Sequence, residues 1–512
     1  MNKTMIRILS ALLVLLMVVA CFAACTDPVD PNEGEGTKDG AADATDAPTG
    51  ETEAPEQSIE DILGFEVPEL NRQINIVHMN MDAVKQDFIA ESFDGDEVAV
   101  EVYERTLELE EAFATTLNYI DALGNWDTRG EDKKFIETAV QSGGHDYDLM
   151  AGSNVASATM MYSGLFHNVC ELDSIDFDHS WWMPDIVGTY GIGEHVYGLM
   201  GKFGHSYYSQ LNLIAVNTTL ADNFGVEAAH GSLYDLVYSG KWTLDKMLEI
   251  GGSYGEDNGD GVMTLGDDVF GFISTTVPSR NFLFSLGLEL ITLNDTEDGV
   301  VIPNALDEKT INSYEKLYAA FPKSGAGSTP NFGSCAINSF DDHFAADKVL
   351  MGLCYFSTLG SENVRNMTSE YMVMPMPKYD ETQDDYITPF ATTASMLLIP
   401  LTAVDPEQSA MITEYMGYLG EKNICPVYVE QTLKLKYASD PQVMEMVQYI
   451  IDRAAFTLTQ AMIWNCDAGA NMRNMYCFGS LNAVGSPNVA SFYGSYRRVW
   501  KKQLDTLVEG LQ

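Results

Sequence analysis

The stretch GGHDYDLMAGS, residues 143–153, decides the fold class. Its two glycines end a predicted helix over 133–142, and the apolar run after them predicts a buried strand that ends in a loop of small residues. INIVHM at 74–79 predicts an earlier strand, and an acidic amphipathic helix is predicted over 98–117. Strands and helices that alternate at this spacing predict parallel βαβ units, and therefore an α/β fold.

The first 25 residues are typical of an export signal. Lys3 and Arg7 precede an uncharged apolar run over 8–24, which ends in FAAC at 22–25. This pattern predicts a lipoprotein signal peptide, residues 1–25, that is cleaved before Cys25, whose thiol then carries the lipid. An uncleaved membrane anchor is the alternative, because about 17 apolar residues approach the lower length limit of a span. Lipidation would anchor the protein at the cell surface, on the outer face of the cytoplasmic membrane.

Residues 26–64 are predicted to form a disordered acidic tether. The stretch contains no aromatic residue and consists mostly of Asp, Glu, Thr, Ala, Pro and Gly. Such a composition cannot bury enough apolar surface to offset the entropy of ordering. A spacer of this kind would hold a folded domain away from a membrane surface. The remaining residues, 65–512, are long enough for two lobes.

The charge balance restricts the ligands. The chain carries 75 acidic and 28 basic residues, a net charge of −47. Long-range repulsion by such a surface disfavours nucleic acid and anionic substrates, so neutral or cationic ligands are the better fit.

The cysteines give no disulfide pattern. Removal of Cys21 with the signal peptide and lipidation of Cys25 leave Cys170, Cys335, Cys354, Cys425, Cys466 and Cys477. These six are scattered and show no spacing typical of a disulfide framework. Buried free thiols are the favoured interpretation, and disulfides, which export permits, are the alternative.

One motif resembles a catalytic nucleophile. GGSYG at 251–255 matches G-x-S-x-G, which requires a strand before the serine and a helix after it. Here a predicted helix precedes the serine and a Gly/Asp loop follows, so catalysis by Ser253 is not expected. The sequence contains no H-E-x-x-H and no phosphate-binding glycine motif. The protein is therefore predicted not to be an enzyme and to need no cofactor.

Five segments resemble the extracellular solute-binding proteins of bacterial ABC importers, in the sugar-binding branch. The segments are GGHDYDL at 143–149, GEHVYGL at 193–199, LIAVN at 213–217, YSGKWT at 238–243 and MPMPKY at 374–379. Each is weak alone, whereas their order and spacing together are fairly specific. The resemblance covers most of the chain after the tether.

The resemblance implies a two-lobed, periplasmic-binding-protein-like fold of type II. Each lobe would be a mainly parallel sheet flanked by helices, with a hinge between the lobes and the solute in the cleft. By analogy, one lobe would hold about 66–203 and 349–390. The other would hold about 204–342 and 396–512. Thr243 is expected to cap a helix over 244–250, and the last 15 or so residues are expected to form a terminal helix.

The implied function is delivery of a small solute to the permease subunits of an ABC importer, with a mono- or oligosaccharide as the favoured solute. Three alternatives stay open. The same fold could bind a peptide, a polyamine or another small solute, or it could present the solute to a membrane sensor. A secreted hydrolase such as a glycosidase would need two carboxyl groups that face one cleft.

The resemblance also implies where the solute binds. Sugar rings stack on aromatic faces, and their hydroxyls need polar partners. The candidates by position are His78, Asn80, Ser153, Asn154, Trp181, Trp182, Tyr207, Arg280, Asn281, Phe356, Ser357 and Trp464. For each Trp or Tyr, core packing is the alternative. Trp242 is assigned to the core because it opens a helix in the family pattern.

The segment 256–267 resembles an EF-hand or dockerin-type calcium loop. Glu256, Asn258, Asp260 and Asp267 would supply side-chain oxygens, and Val262 its carbonyl oxygen. Calcium takes six to eight oxygen ligands. Glu256 stands where Asp is usual, which puts the geometry in doubt. The alternatives are a structural calcium site and a solvated acidic turn.

Overall fold

The computed structural model describes residues 58–510, except 91, 94–95, 123, 126, 129, 276–280, 295–298, 322–326, 330, 337–338, 438–440, 467–471 and 477–487. The predicted signal peptide, Cys25 and most of the predicted tether lie outside the described residues. The tether boundary at 64 is wrong: Ser58 caps a helix over Ile59–Leu63, and Leu63 is buried. No helix in the described part of the chain is long and apolar enough to cross a bilayer.

Fifteen strands lie within the described residues. In chain order they are β1 Gln73–His78, β2 Thr116–Asp121, β3 Leu149–Ser153, β4 Asn212–Asn217, β5 Gly255–Glu256, β6 Val269–Thr275, β7 Thr292–Leu293, β8 Val300–Val301, β9 Gly327–Thr329, β10 Phe332–Cys335, β11 Val349–Tyr355, β12 Tyr371–Met374, β13 Thr388–Pro389, β14 Ser395–Leu398 and β15 Ala454–Ala455. They form a small sheet in the order β14-β3-β1-β2 and a large sheet in the order β12-β4-β11-β6-β10-β9, with β5 also paired to β6. Two further pairs are β13 with β15 and β7 with β8.

The helices flank these sheets. They are α1 Ile59–Leu63, α2 Asp82–Phe88, α3 Glu97–Ala112, α4 Gly130–Ser142, α5 Asn154–Ala158, α6 Ile186–Tyr190, α7 Ser206–Ser209, α8 Thr218–Phe224, α9 Val226–His230, α10 Leu233–Tyr238, α11 Leu244–Ser253, α12 Asn281–Ser285, α13 Glu308–Ala320, α14 Phe340–Ala345, α15 Phe356–Leu359, α16 Glu362–Asn366, α17 Pro406–Leu419, α18 Cys425–Tyr437, α19 Pro441–Ile451, α20 Leu458–Met462 and α21 Val489–Glu509. Short 3₁₀ turns cover Val169–Glu171, Ile463–Asn465 and Met472–Tyr476, and a π-helical turn covers Gly420–Ile424.

The small sheet confirms the βαβ prediction. Strand β1 is parallel to both β2 and β3, and β14 runs antiparallel to β3 at the edge. The inward side chains of β1 are Ile74 and Ile76, both fully buried. They are β-branched, which suits a pleated strand covered by helices. We call the part of the molecule built on this sheet the small-sheet lobe.

The large sheet corrects the predicted lobe boundaries. Strand β6 is parallel to β10 and β11, whereas β4 is antiparallel to β11 and β12. Strands β11 and β12 therefore belong to the large-sheet lobe, although 349–390 was assigned to the other one. Strand β14 belongs to the small sheet, although 396–512 was assigned to the large-sheet lobe. The boundaries were wrong at these strands because the hydrogen-bonded partners are far apart along the chain.

Within the described residues, the chain crosses between the lobes at least three times. The first crossing lies between β3 and β4, and the second between β12 and β14. The third follows α17, which packs on α3 of the small-sheet lobe, and ends at α19, which packs on β12. The carboxyl end of β3 meets the second crossing, where the Asn154 side chain donates to the carbonyl oxygen of Ala391, and we call this place the junction.

Several local predictions are confirmed. The Thr243 hydroxyl accepts a hydrogen bond from the backbone N–H of Lys246 at 3.3 Å and caps α11. Trp242 is fully buried, with its indole N–H donated to the carbonyl oxygen of Pro375. The five described mature cysteines are free thiols, and Cys477 lies outside the described residues.

Candidate ligand-binding site

A pocket lies at the junction of the crossings, beside the carboxyl end of β3. Ligands in open α/β sheets generally bind beyond such strand ends. The described residues that line it are Val155, Asn281, Phe284, Phe390, Ala391, Thr392, Phe456, Gln460, Ile463, Trp464 and Arg473. We call it the Trp464 pocket. It brings together two of the sequence-predicted residues, Asn281 and Trp464.

Trp464 and Arg473 form the polar end of this pocket. The Arg473 guanidinium carbon lies 4.7 Å from the centroid of the Trp464 ring, which is the geometry of a cation–π contact. The Asn281 side chain is buried, and Gln460 donates to the carbonyl oxygen of Phe390 at 3.3 Å. The sequence reasoning missed Arg473, because nothing in its neighbourhood along the chain marks it as a pocket residue.

Ser153 and Asn154 hold the wall of the pocket. The Ser153 hydroxyl accepts from the N–H of Ala156 and caps α5. The buried Asn154 side chain donates to the carbonyl oxygen of Ala391 at 2.7 Å, and its backbone N–H donates to Ala394. These bonds tie β3 to the second crossing. Contact with a ligand stays a prediction for both residues.

Tyr207 packs behind the pocket. Its ring meets Phe390 edge-on at a centroid distance of 5.1 Å, and Phe390 lines the pocket. Burial raises the pKa of the Tyr207 hydroxyl well above its usual value, so the group stays protonated. Tyr207 therefore supports the wall of the pocket.

Trp181 and Trp182 pack in the core, which is the alternative to ligand contact given above. Both are buried, and both indole N–H groups are donated to the carboxylate of Glu414, at 2.5 and 3.1 Å. Burial raises the pKa of Glu414, although these bonds and the one from the N–H of Asp176 act in the opposite direction. Neither Trp is among the described residues that line the Trp464 pocket.

His78 ends β1 and Asn80 follows the strand, and neither lines the Trp464 pocket. His78 is buried, and its Nε2 lies 3.5 Å from a carboxylate oxygen of Asp121. Burial lowers the pKa of His78, in spite of this carboxylate. The side chain of Asn80 is exposed, and its N–H donates to the carbonyl oxygen of Gly124. Arg280 lies outside the described residues.

A second cavity holds the remaining predicted residue, Ser357. Its volume is about 350 Å³, and its lining includes Asp96, His205, Arg365 and Tyr428. We call it the hinge cavity, because His205 belongs to the first crossing and Ser357 to the large-sheet lobe. Phe356 is fully buried, with its ring 6.0 Å from that of Tyr428.

Asp87 bonds residues of the first and second crossings beside the hinge cavity. One carboxylate oxygen accepts from the N–H of Ser206 at 2.9 Å and lies 3.0 Å from Nδ1 of His205. The other accepts from the hydroxyl of Ser395, at the start of β14, at 2.6 Å. Burial alone would raise the pKa of Asp87, but the charge of His205 and these hydrogen bonds lower it. Asp87 was not identified from the sequence.

The loop 256–267 is folded on its own hydrogen bonds. Asn258 and Asp260 accept from the N–H groups two residues on, at 3.1 and 2.8 Å. Asp268, outside the predicted ligand set, accepts from the N–H groups of Asn258 and Thr264. Among the described residues, no three His, Cys, Asp or Glu side chains are placed to share a metal ion. Calcium binding by this loop, with Glu256, Val262 and Asp267, stays a prediction.

Ser253 does not lie on a nucleophile elbow. It ends α11, and its hydroxyl donates to the carbonyl oxygen of Glu249 at 2.7 Å. The strand-before, helix-after arrangement that activates such a serine is replaced by the reverse order.

Two α/β lobes, three crossings and a pocket at the junction define the two-lobed solute-binding fold of type II, as predicted. The chain is similar to the GacH receptor of Streptomyces glaucescens, solved unliganded and with acarbose, at 14% identity and a TM-score of 0.51, over 85% of this chain and 99% of that chain. This likeness shows the fold. An ABC substrate-binding protein of Listeria monocytogenes in complex with cycloalternan gives 14% identity and a TM-score of 0.49, over 86% of this chain and 98% of that chain. No protein-family model and no curated protein sequence matches the chain.

Proposed function

We propose that this protein is an extracellular receptor that binds a mono- or oligosaccharide between its lobes and delivers it unaltered to an ABC importer. The observation that carries the proposal is the Trp464 pocket, which joins aromatic faces to side-chain amides at the lobe junction. The GacH receptor, which shares the fold, was solved with acarbose.

The pocket has the chemistry that a saccharide needs. Arg473 covers one face of the Trp464 ring, and we assign the opposite face to the C–H surface of a sugar ring. Asn281 offers an amide donor and acceptor for hydroxyl groups, and Phe284 and Phe390 supply apolar surface.

The size of the pocket implies movement of the lobes. Its volume is about 20 Å³, and a buried water needs roughly 10–15 Å³ on this measure. A sugar ring therefore enters only when the lobes move apart. Contacts of the solute with both lobes would then supply the free energy of closure.

The setting of the receptor follows from the N-terminus. We propose that Cys25 carries a lipid, that the acidic tether spans the distance to the folded part, and that permease subunits receive the closed form. The hydrogen bond that engages Ser253 supports the proposal that the protein is a carrier and not a hydrolase.

Titration of the purified protein with a panel of mono- and oligosaccharides tests the function. A ligand at 100 times its Kd should raise the free energy of unfolding by about 2.7 kcal/mol. Trp464→Ala should weaken binding at least tenfold, because the stacking face is lost. Tyr238→Ala removes an aromatic ring that is 46% exposed on α10 and should leave the affinity unchanged.

Two results would contradict the proposal. One is stabilisation by peptides or polyamines without any saccharide that stabilises the protein. The other is chemical conversion of a bound saccharide, detected by chromatography of the recovered ligand.

A further inference from the structure

A basic groove opens beside the Trp464 pocket. Its volume is about 480 Å³, and its lining includes Lys133, Tyr162, Asn465, Lys502, Gln503 and Gly510. Lys133 lies on α4 of the small-sheet lobe. Lys502 lies on α21, which packs against α13 and β8 and bonds Pro303 through the hydroxyl of Tyr493 at 2.7 Å. The two lysines therefore come from different parts of the fold.

The groove and the pocket share one wall. The 3₁₀ turn Ile463–Asn465 places Ile463 and Trp464 in the pocket and Asn465 in the groove. The Asn465 side chain donates to the carbonyl oxygen of Ala158 at 3.0 Å and fixes this turn to α5. A ligand longer than one ring on Trp464 would reach the groove next.

The charge of this lining is opposite to that of the protein. Among the described residues that line the groove and the pocket, the charged side chains are Lys133, Lys502 and Arg473, and no acidic side chain is present. Acidic residues outnumber basic ones 75 to 28 in the whole chain, so composition alone predicts the reverse.

Two nearby carboxylates are engaged elsewhere. Asp505 pairs with Lys501 at 2.7 Å, and the buried Asp132 accepts from the N–H of Gly124 at 3.0 Å. Within the part of the chain that the structure describes, neither Lys133 nor Lys502 forms an ion pair.

Local charges outweigh the net charge of −47 at this distance. At physiological ionic strength, charges farther than about 8 Å apart are largely screened. The ammonium groups of the lysines that line the groove act within that range on a ligand bound there. The net charge predicts a preference for neutral or cationic ligands. That preference therefore does not apply to this groove.

We infer that the solute is an acidic saccharide, with one ring on Trp464 and its anionic group between Lys133 and Lys502. This inference rests on the proposed function. An anion bound by two positive side chains from different parts of the fold relieves their repulsion and favours closure. A carboxylate or a sulfate on the sugar supplies the same chemistry.

Calorimetry with matched ligands tests the inference. The probes are an oligogalacturonate, its carboxyl-reduced neutral form and a sulfated oligosaccharide. We expect the acidic form to bind at least tenfold more tightly than the reduced form at 50 mM salt, with a smaller advantage at 500 mM. Binding of the carboxylated probe or of the sulfated probe identifies which anionic group is recognised.

Substitutions distinguish the effect of the groove lysines from the effect of the overall charge of the protein. The double variant Lys133→Gln and Lys502→Gln should lose the preference for the acidic form. Lys501→Gln, which changes a neighbouring lysine paired with Asp505, should keep it. Equal binding of acidic and neutral saccharides by the unaltered protein overturns this inference and leaves the proposed function intact. Failure of every saccharide to bind overturns the proposed function as well.

Discussion

At the scale of single residues, Asp132 is a carboxylic acid whose side chain is buried in the protein. It is fully buried in the first turn of α4, and one oxygen accepts from the N–H of Gly124. Burial raises its pKa to about 6, in spite of this hydrogen bond. Because the folded state holds the proton more tightly than the unfolded chain, ionisation of Asp132 lowers the free energy of unfolding as the pH rises from about 4 to 6.

Asp132→Asn should therefore stabilise the protein at high pH. The amide keeps the acceptor for Gly124 and carries no charge. We expect a gain of about 1 kcal/mol at pH 8 and none at pH 4, measured by urea denaturation. Glu137→Gln, farther along α4, is the control and should show no gain at pH 8, because Glu137 is not among the groups that raise the pKa of Asp132. A gain of equal size at both pH values would contradict the assignment.

Single residues also show what the sequence could predict at the site. Trp242 was correctly assigned to the core, because the pattern around it is local. Trp181 and Trp182 were placed near the ligand, whereas the structure buries them against Glu414. Glu414 lies more than 230 residues from both tryptophans along the chain, so no local sequence pattern predicts these hydrogen bonds. Arg473 and Asp87 were missed for the same reason.

At the scale of elements, α17, the π-helical turn and α18 form one helical run from Pro406 to Tyr437. Gly420 opens the turn. A Cβ at this position would overlap the backbone of Lys202 and Phe203 in the first crossing. The glycine therefore allows the third crossing to pack directly on the first.

Gly420→Ala should destabilise the protein by about 1–3 kcal/mol, since backbone must move to admit the methyl group. Gly494→Ala is the matched control: Gly494 lies on the exposed side of α21, and no atom would touch its new Cβ. The protein with Gly494→Ala should be more stable than the unaltered protein by about 0.5–1 kcal/mol, because alanine favours a helix more than glycine does. Chemical denaturation measures both. Equal effects of the two changes would contradict this packing.

The helices and strands also show which parts of the fold the sequence could predict and which it could not. The local patterns predicted β1, β3, α3, α4, α11 and the βαβ order correctly. The lobe assignment of β11, β12 and β14 was wrong. These strands are set by pairing with β4 and β3 across more than 100 residues, and pairing over such distances leaves no periodicity in the sequence.

At the scale of the whole molecule, the Asp87–His205 pair joins α2 to the first crossing. Burial alone would lower the pKa of His205, but the charge of Asp87 raises it above its usual value. The pair therefore contributes its full stability below pH 6.5, and the contribution is lost as the pH rises through the raised pKa of His205. On the acid side, the contribution of Asp87 is lost as the pH falls through its lowered pKa.

His205→Gln should cost about 3 kcal/mol at pH 6, because Asp87 remains buried without its cation. The difference from the unaltered protein should shrink at pH 9, where His205 is neutral. Thermal unfolding across this pH range measures it. A difference that does not vary with pH would show that the histidine acts only by packing.

The helical run that forms the third crossing limits how the lobes can move. Two extended connections alone would allow twisting, sliding and rocking, whereas a rod fixed at both ends resists all but bending. The π-helical turn at Gly420–Ile424 is the place along that rod where the hydrogen-bond ladder is irregular. For the proposed receptor, closure would thereby be confined to a single swing, and every loaded molecule would present the same outline to the importer.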